Sequence, residues 1–315
     1  MNNQPSETPS TVKKWLIAMR PWALPASTMP VIFGTSLAVV VGEVRLNIFD
    51  FTLAILGMVL LHSGANMLSD VFDFHRGLDQ RVTPVSGALV RGWISKRETV
   101  TGAAVLFLLG TAIGLWLAFR TTPLLLVIGG VGVVIGLFYT GLKYHALGDL
   151  AVFLNFGILG SLGAWIVQVH DFSWVPVIWT VPMAMLVSAI LHANNWRDAP
   201  SDRERRVYTV AGRLGDRGSL LYYAVLIFGP LLYVAALMLL PRAAGVRGPM
   251  LPWTFLLCLL ALPNAVKLWG RAVRRHAPRR PMDFIILDGA TSRHNLLFGL
   301  LCTAAVWFQH IMNWS

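Results

Sequence analysis

The residues most able to do chemistry follow an apolar run, in the stretch NMLSDVFDFHRGLDQR. Asn66, Asp70 and Asp73 are spaced i, i+4 and i+7, so on a helix they share one face. Asp79 comes six residues later, beyond Gly77, and is expected in a loop. Carboxylates one helical turn apart repel each other, and beside a membrane the cost of each charge rises. A cation held between them would relieve that repulsion.

A second acidic cluster lies in the stretch NNWRDAPSDRERRVYTVAGRLG. Asn195, Asp198 and Asp202 are spaced i, i+3 and i+7, and Asn194 gives an alternative row, i, i+4 and i+8, with the same two acids. Pro200 is expected to bend this helix end, because proline disturbs the helix around it. The sequence therefore predicts two acidic helix faces.

Carboxylate and amide oxygens are hard ligands of the kind that Mg²⁺ takes in proteins. Mg²⁺ commonly binds one or two carboxylates and leaves its other positions to water and substrate phosphate, and arginines add charge-assisted hydrogen bonds to phosphate. The plainer alternative is a solvated helix end, which is common for a single aspartate. Two such rows favour a site for Mg²⁺ and a diphosphate, whose predicted metal ligands are Asn66, Asp70, Asp73, Asn195, Asp198 and Asp202.

The elements that must carry these rows are transmembrane helices. The chain of 315 residues is 56% hydrophobic and 13% charged, whereas soluble domains are about 25% charged. Apolar stretches of membrane-crossing length recur along it. They predict an all-α polytopic membrane protein of one domain, residues 1–315, with a polar tail over 1–12 that has no signal peptide. The nine predicted spans are 22–42, 51–70, 99–118, 123–140, 150–168, 174–196, 219–240, 250–268 and 294–313.

Basic residues fix the predicted orientation. Of the 26 Lys and Arg residues, only four fall on one side of the predicted membrane, namely Arg45, Arg120, Arg242 and Arg247. The positive-inside rule places the other side, with the N-terminus and both acidic rows, in the cytoplasm. The net charge of +11 therefore indicates a bilayer partner and not nucleic acid. We expect a multi-pass protein of the cell's inner (plasma) membrane.

Other candidates are weaker. His62 and His192 precede the acidic rows by one to two turns, and are expected to be packed structural groups. The glycine-rich stretch GGVGVVIG at 129–136 is expected to pack closely against another helix. The segment KKWLIAMRPW, basic and Trp-rich, is expected to form an interfacial helix before the first span.

Five segments, in order along the chain, resemble the UbiA-type intramembrane prenyltransferases, and most of all their 1,4-dihydroxy-2-naphthoate polyprenyltransferase (MenA-type) branch. These segments are MRPWALPASTMPVIFGTSLA, ANMLSDVFDFHRGLD, FYTGLKYHALGDL, NNWRDAPSDRERRVYTVAGRLG and DGATSRHNLLFGLL. The resemblance implies nine transmembrane helices around a central cavity, which on the predicted orientation opens to the cytoplasmic side. It also implies two aspartate motifs that hold Mg²⁺ and the diphosphate of an isoprenoid donor.

Carried over by position, the resemblance assigns roles to particular residues. Catalytic roles fall to Asp70, Asp73, Asp198, Asp202 and Tyr139. Contacts to the diphosphate or the acceptor are implied for Asn66, Asn195, Arg20, Lys143, Arg197, Arg206, Asp79 and Tyr144. Both tyrosines are placed near the allylic cation, which agrees with the attraction of aromatic faces for positive charge.

Three residues depart from the family's pattern. Ser69 stands where the family usually has a second asparagine, Asp149 replaces the usual glutamate, and Val207 replaces a lysine after the second motif. The loss of that lysine removes a donor to the diphosphate. Arg205 or Arg206 is expected to supply the missing charge.

The predicted reaction is transfer of a polyprenyl group from its diphosphate to an aromatic ring, most simply that of 1,4-dihydroxy-2-naphthoate in menaquinone biosynthesis. The prenyl group would replace a carboxylate and give a demethylmenaquinone in its reduced, quinol form. Open alternatives are another acceptor (4-hydroxybenzoate, homogentisate, or a haem or chlorin) and a UbiA-type terpene cyclase. An ion-coupled transporter is disfavoured, because transporter sites lie near the bilayer midplane and these acids cluster at one face.

Overall fold

The chain is helical throughout the part that the structure describes. That part is residues 9–78, 82, 87–243 and 250–314 of a computed structural model, and it contains no strand. Its α-helices are α1 (Thr11–Met19), α2 (Pro25–Val40), α3 (Ile48–His75), α4 (Lys96–Arg120), α5 (Leu124–Tyr144), α6 (Gly148–Val152), α7 (Gly160–Val169), α8 (Trp174–Glu204), α9 (Val210–Ala243), α10 (Leu262–Ala272) and α11 (Leu287–Trp314).

These helices provide nine stretches with the length and apolar character of a membrane span, in the described residues. Eight are single runs, two of which join short elements: Gly148–Val169 contains a π-helical segment, and Trp253–Ala272 begins as a 3₁₀ helix. The ninth pairs Thr11–Ala23 with Pro25–Val40 across a bend of 59°. Pro25 begins α2, a position that suits proline since no helical hydrogen bond is lost there. The predicted all-α bundle of nine spans is confirmed.

Helices α2, α7, α8 and α11 form the centre of the bundle. Phe33, Leu37, Met183 and Phe298 are fully buried there. A Cβ added to Gly34 of α2 would lie 2.2 Å from the carbonyl oxygen of Ser161 in α7, so the two backbones touch. Small residues allow such contact between membrane helices, which gain from packing and not from the hydrophobic effect. This rigid centre supports the helices that carry the acidic rows.

Helix α5 is the loosest of the described spans. Only 6% of its most apolar window is buried, against 56% for α8. The expected close packing of its glycine-rich stretch is found at Gly132, where an added Cβ would lie 3.0 Å from Oδ1 of Asn155. It is not found at Gly129 and Gly130, where an added Cβ would meet no atom within 4 Å. These glycines therefore leave space beside the helix.

A buried carboxylate takes part in hydrogen bonds between helices at one end of the bundle. Asp50, at the start of α3, accepts hydrogen bonds from Nε of Arg120 at 2.9 Å and from Nδ2 of Asn47 at 2.7 Å. The backbone N–H of Asn47 donates to Oε1 of Gln168 near the end of α7, at 2.8 Å. The contacts join three helices at the end remote from the acidic rows. We call these four residues the far-end latch.

Candidate active site

A polar cavity of about 770 Å³ lies at the other end of the bundle. It is formed where α3, α5 and α8 end and α11 begins, together with the turn between α1 and α2. Helix α8 continues through Pro200 to Glu204, so Asp198 and Asp202 both belong to the helix. The cavity therefore has helical walls that present charged side chains.

The wall from α3 presents Asn66, Ser69 and Asp73 to the cavity. Asp73 is buried, and its carboxylate accepts hydrogen bonds from Nζ of Lys143 at 3.0 Å and from the hydroxyl of Tyr144 at 2.8 Å. Both partners come from the end of α5. The structure thus brings together the first acidic row and the predicted lysine.

Arg20 holds the second carboxylate of the α3 row. Its Nη2 donates to Oδ1 of the buried Asp70 at 2.5 Å, and Arg20 itself lines the cavity. The residue ends α1 with φ of 53°, a left-handed conformation that is uncommon for a non-glycine residue. Such backbone conformations persist where the surrounding structure holds them, often at functional sites.

The wall from α8 presents Asn194, Asp198 and Asp202. The alternative row, spaced i, i+4 and i+8, is therefore the one on the cavity surface. Asn195 is 1% exposed and its Oδ1 has no hydrogen-bond partner among the described residues. Lys143 bonds to Asp73 of the first row and lines the same cavity as Asp202 of the second.

Comparison with known proteins agrees with this arrangement. The profile of the UbiA prenyltransferase family matches residues 27–287, a range that includes both acidic rows and α5. The chain belongs to the UbiA prenyltransferase family. It is therefore a prenyltransferase and a multi-pass membrane protein, as the resemblance of its motifs implies.

Similar proteins are known from animals. The chain is 30% identical over 309 residues to the UbiA prenyltransferase domain-containing protein 1 homolog of Drosophila melanogaster, covering 95% of this chain and 80% of that one. It is 31% identical over 299 residues to UbiA prenyltransferase domain-containing protein 1 of Homo sapiens, covering 91% and 81%. The similarity thus extends over most of both chains.

Solved structures share the fold at lower identity. A UbiA homologue from Archaeoglobus fulgidus, bound to DMAPP and Mg²⁺, matches with a TM-score of 0.58 and 15% identity, over 92% of this chain and 99% of that one. The apo structure of a UbiA homologue from Aeropyrum pernix K1 matches with a TM-score of 0.59 and 17% identity, over 90% and 97%. These likenesses support the UbiA fold for this chain.

Within this UbiA site, Asp288 is a cavity residue that the acidic-row reasoning missed. Arg197 donates from Nε and Nη2 to the two oxygens of Asp198, at 2.9 and 2.8 Å, and from Nη1 to Oδ2 of Asp288 at 3.0 Å. Nδ2 of Asn194 donates to the same Oδ2 at 3.3 Å. The acidic start of the last span, DGATSRHN, was the available signal, but it contains no second acid at helical spacing.

The two predicted tyrosines lie in different surroundings. Tyr139 lines the cavity and packs against Ala26, Val152 and Val187. Tyr144 is buried behind Asp73, and the guanidinium of Arg76 lies 4.4 Å from the centre of its ring. Tyr139 is therefore the tyrosine that faces the cavity, and Tyr144 holds Asp73.

The two arginines proposed to replace the family's lysine follow α8 and lie in different surroundings. Arg205 lines the cavity, whereas Arg206 is exposed and has a left-handed φ of 58°. The turn buries Val207, whose N–H donates to the carbonyl oxygen of Asp202 at 2.9 Å. Asp79, also a predicted contact, lies outside the described residues.

The two histidines are packed groups, as expected. Nδ1 of His62 lies 2.8 Å from Oγ of Ser27, and its ring lies against Phe156 at the bottom of the cavity. His192 is fully buried, and its Nδ1 is 3.4 Å from Oδ2 of Asp149. Asp149, which stands where the family usually has glutamate, therefore lies beside a buried histidine and outside the acidic rows.

A second cavity, apolar and of about 440 Å³, adjoins the first. It lies among α3, α4, α5 and the π-helical segment, and includes the free surface beside Gly129 and Gly130. The two cavities share the lining residues Ala65, Gly136, Asn155 and Phe156. The charged cavity thus lies directly beside an apolar one, which we call the apolar chamber.

Proposed function

We propose that this chain transfers a polyprenyl group from an isoprenyl diphosphate to an aromatic acceptor, in a reaction that requires Mg²⁺. One observation carries the proposal: the charged cavity joins the apolar chamber at a shared set of residues. A diphosphate with an isoprenoid tail has the same two parts. The apolar chamber would hold the tail by packing, as the surrounding lipid does, while the charged cavity holds the diphosphate.

The residues of the charged cavity fit Mg²⁺. The two walls offer carboxylate and amide oxygens, the donors that Mg²⁺ prefers. Among the described residues, no three acidic, histidine or cysteine side chains are close enough to bind one ion together. Mg²⁺ commonly binds one or two carboxylates and completes its shell with water and substrate phosphate. An ion at the α3 wall would be held by Asp73, and an ion at the α8 wall by Asp198 and Asp202, each with an asparagine oxygen of its row, while Asp70 lies behind Arg20.

Bound there, Mg²⁺ would neutralise the diphosphate and improve it as a leaving group. Lys143, Arg20 and Arg197 supply fixed positive charge around the same volume. The bond between the donor's allylic carbon and the diphosphate oxygen breaks, and its electron pair leaves with the diphosphate. Tyr139 presents an aromatic ring to the allylic cation, and the apolar chamber keeps water away from it.

An electron-rich ring carbon of the acceptor then forms the new carbon–carbon bond. For 1,4-dihydroxy-2-naphthoate, the acceptor that the motif resemblance favours, the ring recovers its aromaticity by losing the carboxylate as CO₂. For an acceptor with a hydrogen at that carbon, it loses a proton. The MenA-type assignment rests on the sequence of the motifs alone, and the similar animal proteins are named only for their UbiA prenyltransferase domain.

We propose that the charged cavity faces the cytoplasm of a cell with the chain in its inner membrane. The support is the distribution of Lys and Arg in the sequence. Single cysteines placed at Arg279 and at Arg45, in a variant without Cys258 and Cys302, would test the orientation. A membrane-impermeant thiol reagent added to intact cells should label only the second position.

The reaction is tested with membranes that contain the chain, a polyprenyl diphosphate and a panel of acceptors. The panel holds 1,4-dihydroxy-2-naphthoate, 1,4-naphthalenediol as a match without the carboxylate, 4-hydroxybenzoate and homogentisate. Mass spectrometry identifies the prenylated product. Prenylation of 4-hydroxybenzoate or homogentisate alone would reject the dihydroxynaphthoate assignment, and a product without an acceptor would indicate a terpene cyclase.

The acidic rows are tested by their removal. Asp70→Ala and Asp198→Ala should each abolish Mg²⁺-dependent release of diphosphate, because Asp70 holds Arg20 at the cavity and Asp198 is a carboxylate of the cavity wall. Asp171→Ala is the matched control: this aspartate lies near the far end and accepts a hydrogen bond from the N–H of its neighbour Phe172. Near-normal turnover in both row variants would overturn the proposed role of the cavity.

A further inference from the structure

Asp288 is a cavity carboxylate that belongs to neither acidic row. It lies in the first turn of α11, with its side chain 19% exposed. Its Oδ2 accepts from Arg197 at 3.0 Å and from Asn194 at 3.3 Å, and its Oδ1 accepts from the N–H of Gly289 at 2.8 Å. Both oxygens are therefore engaged by the protein. This arrangement suits a residue that holds other side chains, and does not suit a base that takes a proton from a substrate.

The guanidinium of Arg197 bridges two helices. One edge, Nε and Nη2, faces Asp198 on α8, and the remaining nitrogen, Nη1, faces Asp288 and the carbonyl oxygen of Ile285 at 3.2 Å. Arginine presents its donors in a rigid planar fork, so fixing Nη1 also fixes the direction of the other edge. Arg197 lines the cavity, and that edge faces Asp198, a predicted metal ligand.

We propose that Asp288 is a positioning residue that orients Arg197 toward the diphosphate of the donor. The inference rests on the proposed function. When Asp198 binds Mg²⁺, its oxygens are no longer fully available to Arg197. Asp288 and the carbonyl of Ile285 still hold Nη1, so Nε and Nη2 stay in place and face a phosphate oxygen. Without Asp288, the metal and the guanidinium compete for Asp198.

A purely structural role for Asp288 makes a different prediction. An acid in the first turn of a helix stabilises the helix dipole, and its loss would then lower stability without a specific effect on diphosphate binding. Asp283 offers the matched control. It lies five residues earlier, accepts from the N–H of Arg280 at 3.2 Å and is 3.9 Å from Nε of Arg271, outside the cavity lining.

The test measures binding by the purified full-length chain, without turnover. The probe is a prenyl S-thiolodiphosphate, which ionises slowly, titrated calorimetrically in the presence of Mg²⁺. Asp288→Asn and Arg197→Gln should each weaken binding by about tenfold, the effect of one charge-assisted hydrogen bond. The double variant should bind no more weakly than Arg197→Gln, because Asp288 acts through Arg197. Asp288→Glu should recover much of the loss, and Asp283→Asn should bind as the unchanged chain does.

Three outcomes would overturn the inference. The first is normal binding by Asp288→Asn, and the second is a double variant in which the two losses add. The third is an equal loss in Asp283→Asn, which would show that any acid near this helix start has the same effect.

Failure of the unchanged chain to bind the probe with Mg²⁺ would reject the proposed donor, and the positioning role with it. Binding by the unchanged chain and by Asp288→Asn alike would reject the positioning role alone.

Discussion

At the scale of single residues, carboxylates of both rows are matched with cationic side chains of the same cavity. The pairs are Asp70 with Arg20, Asp73 with Lys143, and Asp198 with Arg197. A diphosphate with bound metal ions carries both signs of charge. Its metal ions can bind the carboxylates, and its oxygens can accept hydrogen bonds from the cationic side chains. In the proposed function, each wall would therefore bind both the metal and the diphosphate.

The turn after α8 places Arg205 in the cavity lining and leaves Arg206 outside it. This difference allows a prediction at the scale of residues. Arg205→Gln should raise the KM for the prenyl diphosphate about fivefold, because it removes one cation from the cavity lining. Arg206→Gln should leave the KM unchanged, because its side chain is exposed outside that lining. Steady-state kinetics with the donor varied at saturating acceptor compares the two. A larger effect at Arg206 would contradict the assignment.

The sequence predicts residue types better than it predicts which way a helix faces. The spacing of the first row indicates Asn66, Asp70 and Asp73, whereas the cavity surface presents Ser69 and leaves Asp70 behind Arg20. Spacing alone fixes which residues share a face, but the neighbouring helices decide where that face points. The choice between Arg205 and Arg206 likewise depends on a left-handed residue in a turn, for which arginine gives no signal.

At the scale of elements, helix α5 shows where sequence pattern is ambiguous. A glycine-rich apolar helix is typical of close packing, yet the same lack of side chains can leave room for a ligand. In this chain the glycines line the apolar chamber, and the end of the helix supplies Lys143 and Tyr139. The one helix thus forms part of both compartments. The contacts that decide between these interpretations come from α3, α4 and the π-helical segment, far apart in sequence.

This arrangement predicts that α5 limits donor length. Gly129→Leu fits sterically, since a Cβ there meets no atom within 4 Å, and its side chain would occupy chamber volume. Turnover of a long polyprenyl diphosphate should fall about tenfold, as expected when a filled space is overpacked, and that of DMAPP should change little.

The matched control for donor length is Gly141→Leu. This position is also open, lies on the same helix and is outside the linings of both cavities. Rates are measured with donors of increasing length for both variants. An equal loss at every donor length in Gly129→Leu would show that the chamber does not hold the tail.

At the scale of the whole molecule, the nine spans follow from apolar length, and their arrangement does not. Hydropathy locates each stretch because the bilayer sets its length. Which helices pack together depends on contacts such as that of Gly34 with Ser161, which no periodicity reveals. The bundle that results separates its polar groups by position: the charged cavity at one end and the far-end latch at the other.

That separation predicts that stability and substrate binding can be changed independently. Asp50→Asn should lower the free energy of unfolding by about 1–3 kcal/mol, because Asp50 is buried and its partners in the far-end latch would lose their charge-assisted bonds. The low end of that range is expected, since the side chain of Arg120 is 42% exposed. The KM for the donor should not change, as the latch lies at the opposite end from the acidic rows.

Thermal unfolding of Asp50→Asn, Arg120→Gln and the double variant in one detergent measures the coupling, with donor KM as the second readout. The double variant should be less destabilised than the sum of the single variants, because the two residues share one contact. Additive losses of stability in the double variant would show that the contact between Asp50 and Arg120 does not stabilise the fold. A changed KM with unchanged stability would mean that the latch communicates with the charged cavity, and the two ends of the bundle would then have to be treated as one unit.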